Sequence, residues 1–137
     1  MPFVLDSSVT AAWCFPDEQH RTAEAALNRL DGDEAIVPTL WWFEIRNILV
    51  VNERRGRVDA TETASFLADL ERLSIRVDRD PNSETVLSLA RKHKLTGYDA
   101  AYLELARRLG LPLATLDRAL IDAAGADGVP LVGGPGA

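Results

Sequence analysis

Short apolar runs recur along the chain at Phe3–Leu5, Ala35–Val37, Ile75–Val77, Leu113–Leu116 and Pro130–Val132, and the stretches between them carry helical periodicity instead of hairpin turns. Strands that alternate with helices in this way pair in parallel. They need helices on both faces to cover them, joined by right-handed crossovers. The pattern predicts an α/β fold, a three-layer α/β/α sandwich around a central parallel sheet of four to five strands.

Caps and breakers place the helices. Pro16 and Asp17 open a segment that runs to about Leu30, before the turn Asp31-Gly32-Asp33. Pro38 and Thr39 precede a helix from about Leu40 to Arg55, stopped by Gly56. Asp59 to Leu73 forms another, with Phe66, Leu67, Leu70 and Leu73 on one stripe. Ser83 to about Lys92 and Tyr98 to Leu109 follow, the second ended by Gly110 with Pro112 just beyond. In that second helix Tyr98, Ala101, Tyr102, Leu105 and Leu109 define the packed stripe, with Asp99 at its edge. A short helix after Asp117 ends near Gly125. No repeat or linker interrupts this order, so residues 1–132 read as one domain and residues 133–137, rich in glycine, as a flexible tail.

At 137 residues with 47% hydrophobic content, the chain is long enough to bury a single core without staples. Its one cysteine, Cys14, forms no internal disulfide and offers no thiolate metal cluster, which fits a reducing cytoplasm. The N-terminus lacks the basic region of a signal peptide, and Glu44 and Arg46 break the longest apolar stretch too soon for it to span a bilayer. A net charge of −6 argues against broad adhesion to nucleic acid. It leaves room for a local basic patch among Arg46, Arg54, Arg55, Arg57, Arg91, Lys92 and Lys94, several of which also read as cations at helix ends.

The chemistry lies in four acids. Asp6 and Asp117 each end a strand-like run, where open parallel sheets place their sites, although either also reads as a helix N-cap. Asp99 sits at capping-box spacing from Thr96, which is an alternative use for it. Glu44 lies in a helix that is apolar nearly all round, Trp41 to Val51, where a lone carboxylate is costly unless paired or metal-bound. Asn47, one turn on, is placed to orient it. Four converging carboxylates with no matched bases resist ionisation unless a divalent cation neutralises them. Ser8, beside Asp6, is a candidate to hold a phosphate or a metal-bound water, and Asp122 reads as a solvated acid. His20 and His93 lie in polar contexts that suit surface residues, so neither is placed as a nucleophile.

Taken in order, Phe3-Val4-Leu5-Asp6-Ser7-Ser8-Val9, Val37-Pro38-Thr39-Leu40-Trp41 through Glu44 and Asn47, Leu95-Thr96-Gly97-Tyr98-Asp99-Ala100-Ala101-Tyr102-Leu103, and Leu113-Ala114-Thr115-Leu116-Asp117 resemble the PIN-domain nucleases. Within that family they are most similar to the small VapC-type toxins of bacterial and archaeal toxin–antitoxin pairs. The resemblance implies a PIN-like fold and endoribonuclease activity dependent on Mg²⁺ or Mn²⁺, with Asp6, Glu44, Asp99 and Asp117 as catalytic and metal-binding acids. It puts Ser8, Thr115, Asn47 and Arg46 forward for positioning substrate, and Asp122 as a possible extra acid. It also implies RNA as substrate, a cognate antitoxin protein and a homodimer. Trp13, Phe15, Trp41, Trp42 and Phe43 gather near the expected site, and core packing accounts for most of them.

Three other readings remain in view. A receiver-like phospho-acceptor domain needs adjacent acids after its first strand and a strand-end lysine, whereas Ser7 follows Asp6 and no such lysine exists. A non-enzymatic interaction module, or a PIN nuclease devoted to RNA maturation, shares the expected fold.

Overall fold

The computed structural model describes residues 1–15, 17 and 20–134. In chain order its elements are β1 (Phe3–Leu5), α1 (Ser7–Cys14), α2 (Arg21–Arg29), β2 (Ala35–Pro38), α3 (Leu40–Arg54), α4 (Ala60–Glu71), β3 (Ile75–Asp78), α5 (Ser83–His93), α6 (Gly97–Leu109), β4 (Leu113–Ala114) and α7 (Arg118–Ala126). The strands form one parallel sheet in the order β3-β2-β1-β4, flanked by the helices. Every residue of β1 and β2 is buried, as a strand covered on both faces requires.

That order fixes where a site can form. The chain builds outward from β1 through β2 to β3 and then returns to lay β4 on the other side of β1, so the reversal lies between β1 and β4. Beyond the carboxyl ends of the strands at such a reversal the loops diverge and leave a crevice. Asp6 directly follows β1, and the segment Thr115-Leu116-Asp117 directly follows β4. The fifth apolar run contributes only a bridge: Leu131 pairs with Leu113, and the Leu113 N–H donates to the Pro130 carbonyl at 2.9 Å.

The first helical stretch departs from expectation. A helix begins at Ser7, directly after β1, and the next spans Arg21–Arg29; Pro16, expected to open one long segment, lies outside the described residues. Helix α1 is short, carries β-branched Val9 and Thr10 and has no acid in its first turn, so it gives little helical signal in sequence. Asp6 occupies its N-cap position without making a cap bond, because its carboxylate is engaged elsewhere. The other helices start and stop within a few residues of their predicted ends. Asp59 closes a full capping box with Glu62 on α4, and Gly110, at φ +67°, ends α6 in the left-handed region that a side chain disfavours. On α6 the packed stripe is shifted: Tyr98 is exposed, and Ala100, Tyr102, Leu103, Leu105 and Ala106 face inward. Residues 135–137 of the expected tail lie outside the described residues, while the Gly134 N–H still bonds the Leu131 carbonyl. Among the described residues no helix is long and apolar enough to cross a membrane.

Candidate active site

Asp6 is 4% exposed at the centre of the sheet's carboxyl edge. Its Oδ2 accepts from the Ser8 hydroxyl at 2.6 Å and from the Thr115 hydroxyl at 2.8 Å. Each of these hydroxyls also works as an acceptor: Ser8 Oγ takes the Leu116 N–H at 2.9 Å, and Thr115 Oγ1 takes the Asp117 N–H at 3.0 Å. The two side chains therefore stitch the segment after β4 to the carboxylate after β1. Oδ1 takes part in neither of these side-chain bonds.

Three more acids face this point. Burial pushes the Asp6 carboxyl above the usual carboxylate range; the Ser8 and Thr115 hydroxyls pull it back, and Glu44 raises it again. Glu44 is half-buried on α3, and its Oε1 accepts from the Tyr102 hydroxyl at 2.5 Å. Burial raises Glu44 above its ordinary value, opposed by the Tyr102 and Ser7 hydroxyls and reinforced by Asp99. Burial, then Asp117, then Asp6 raise the Asp99 carboxyl, with the Thr96 hydroxyl opposing. Asp117 does cap α7, accepting the Leu120 N–H at 3.0 Å, while its charge acts on Asp99. At Asp99 the cap is half made: the Thr96 hydroxyl accepts the Asp99 N–H.

Glu44 acts on Asp6, Asp6 and Asp117 act on Asp99, and Asp99 acts on Glu44, so the charges repel pair by pair, and among the described residues none is ion-paired with a lysine or arginine. That charge pattern and an all-oxygen donor set fit a hard divalent cation. No three such side chains among the described residues are drawn together as a finished ligand cluster.

The remaining candidates divide. The Ser8 hydroxyl proton is committed to Asp6, so Ser8 and Thr115 position the carboxylate and have no proton to offer a phosphate. Asn47 is exposed and makes no bond to Glu44; the partner expected on the same helix is supplied instead by Tyr102, from α6. Arg46 turns away from the acids, stacks 3.8 Å over the Trp42 ring and lines a cleft of about 180 Å³ with Leu67, Leu70 and Glu71. Asp122 sits on the solvent face of α7 in a surface pair with Arg118. His93 is not a surface residue: its side chain is 10% exposed and pairs with Asp127, which Lys92 also holds. Of the five aromatics, Phe15 and Trp41 are buried, Trp13 is partly buried with its indole N–H on the Ala23 carbonyl, and Trp42 and Phe43 stand exposed. The sequence places Tyr102 on the packed stripe but assigns no role to its hydroxyl, to Ser7 or to the buried Glu104 of α6. The available signal for Tyr102 was a phenol one helical turn from Asp99 on an inward stripe, where its hydroxyl needs a partner.

Residues 3–126 match the PIN domain. The chain belongs to the PIN-domain family. It is 34% identical over 125 residues to the ribonuclease VapC3 of Pyrobaculum aerophilum, a match covering 89% of this chain and 94% of that one. A shorter likeness, 38% over 79 residues and 59% of the relative, links it to the exonuclease VapC9 of the same organism. Among solved structures, PAE2754 from Pyrobaculum aerophilum superposes with a TM-score of 0.70 at 27% identity, covering 90% of this chain and 84% of that one. The sarcin-ricin-loop-cleaving toxin VapC20 of Mycobacterium tuberculosis shares the fold, with a TM-score of 0.59 at 14% identity over 88% of this chain and 94% of that one. Across this PIN-domain chain the acids at positions 6, 44, 99 and 117 all fall within the matched span.

Proposed function

We propose that this PIN-domain protein is a metal-dependent endoribonuclease, the toxin of a VapBC-type toxin–antitoxin pair. The observation that carries the reading is Asp6, pinned by two hydroxyls at the β1/β4 crevice and faced by three acids with no cationic partner. The likeness to the ribonuclease VapC3 over most of both chains supplies the substrate class.

Asp6, Glu44, Asp99 and Asp117 would hold Mg²⁺ or Mn²⁺. Such an ion, when bound, lowers the pKa of water and stabilises charge on the leaving oxygen of a phosphodiester. The chain's own part is to fix oxygens in advance. Ser8 and Thr115 hold Asp6 in one rotamer, the α7 cap holds Asp117, and Tyr102 holds Glu44. Repulsion among the carboxylates is what a bound cation would relieve. RNA is the proposed substrate, a cognate antitoxin the proposed partner, and a homodimer the proposed assembly. The exposed Trp42 and Phe43, edge to face at 5.0 Å on α3, supply apolar surface for such a contact.

Purified protein with Mg²⁺ or Mn²⁺ should cleave RNA, with activity abolished by EDTA and lowered roughly 10²–10³-fold in Asp6→Asn or Asp99→Asn. Full activity in those variants would reject the site. The likeness to the exonuclease VapC9 favours a second reading, processing from an end. A circular RNA, which has no ends, separates the two. Growth arrest on expression, relieved by the neighbouring upstream reading frame, distinguishes a toxin from an RNA-maturation enzyme.

A further inference from the structure

We propose that Tyr102 is a positioning residue for Glu44, fixing the carboxylate from α6 so that it meets a divalent cation already oriented. This rests on the nuclease reading above and adds to it a group outside the four acids.

Three observations carry it. Tyr102 is fully buried, yet its hydroxyl donates to a half-buried carboxylate 58 residues away in sequence. A phenylalanine would fill the same core volume, so the hydroxyl is what this position adds, and a buried hydroxyl without a partner is costly. Tyr102 also lies one helical turn from Asp99, so a single helix face delivers both an acid and the phenol that holds a second acid. The bond occupies Oε1 alone. Ser7, at the start of α1, directs its hydroxyl at the same pair, so Glu44 is set by groups from two other helices while its own helix offers it no partner. Partners that orient ligating carboxylates change metal affinity without touching the ion.

The test is a double-mutant cycle on the full chain, reading Mn²⁺ affinity by electron paramagnetic resonance beside RNA cleavage. Tyr102→Phe should weaken Mn²⁺ binding about tenfold or more. In a Glu44→Gln background the same change should move affinity less than about twofold, because the group it positions has gone. A purely structural role would instead weaken both backgrounds equally, through the fold, and that result overturns the proposal; so does parental Mn²⁺ affinity in Tyr102→Phe. Failure of the nuclease reading looks different: the unmodified chain itself would bind no Mn²⁺ and cut no RNA, and the proposal would fall with it.

Discussion

Thr115→Val isolates the stitch between the two central strand ends. Valine keeps the branched shape at a position only 3% exposed, so the hydroxyl alone is lost. Two bonds go with it, the 2.8 Å donation to Asp6 Oδ2 and the 3.0 Å acceptance of the Asp117 N–H. A hydrogen bond to an ionised group contributes about 1.5–3 kcal/mol and a neutral one about 0.5–1.5 kcal/mol. Ser8 keeps its own bond to the same Asp6 oxygen, which places the sum in the lower half of that range, at about 2–3 kcal/mol. For a domain of this length each kcal/mol moves Tm by roughly 3–4 °C, so the melting temperature in EDTA should fall by roughly 6–12 °C. Thr115 also holds the Asp6 carboxyl down against burial, so its removal lets that group rise further and weakens Mn²⁺ binding, more at a lower pH than at a higher one. Calorimetry in EDTA and a Mn²⁺ titration at both pH values measure the two effects. A variant melting within about 1 °C of the parent, with unchanged Mn²⁺ affinity, would refute the stitching argument.

The raised carboxyls of Asp6, Glu44 and Asp99 mean that the folded chain retains protons the unfolded chain has already released. Their contribution to stability is therefore complete below the ordinary carboxylate range and is lost as pH rises through the raised values. Melting in EDTA from about pH 5 to about pH 8 should show this decline, and saturating Mn²⁺ should cancel it; a flat profile in EDTA would count against the repulsion. Glu44→Gln should stabilise the metal-free protein by less than about 1 kcal/mol, since solvent screens this half-exposed group, and should weaken Mn²⁺ binding; a less stable variant in EDTA denies the prediction. Arg108 bonds both Glu104, 1% exposed, and Asp78, so Arg108→Met strands a buried charge and should cost about 3 kcal/mol in urea unfolding. Asp122→Asn, on the solvent face, should change stability by no more than about 0.5 kcal/mol and leave RNA cleavage at the parental rate.

Period and punctuation in the chain determined the layer architecture. Runs of buried β-formers separated by amphipathic stretches have few alternatives to a covered parallel sheet, and four of the five runs became its strands. Asp6, Asp117, Glu44 and Asp99 were legible for a related reason: a carboxylate at a strand end, or in an apolar helix, is anomalous in one dimension. What the sequence left open is which partner each polar group takes. A capping residue and a metal ligand are written with the same letter, and Asp117 does cap α7 while its charge also reaches Asp99. Asn47 is three residues from Glu44, yet Tyr102 is the residue that bonds it, because helix packing brings α6 against the sheet beside α3 and lays a hydroxyl where local spacing offered only an amide. The same holds for Asp6, whose partner Thr115 is 109 residues away. Local periodicity is a property of neighbouring residues and can be read along the chain, whereas hydrogen bonds across a sheet's switch point exist only after distant segments have been folded against one another.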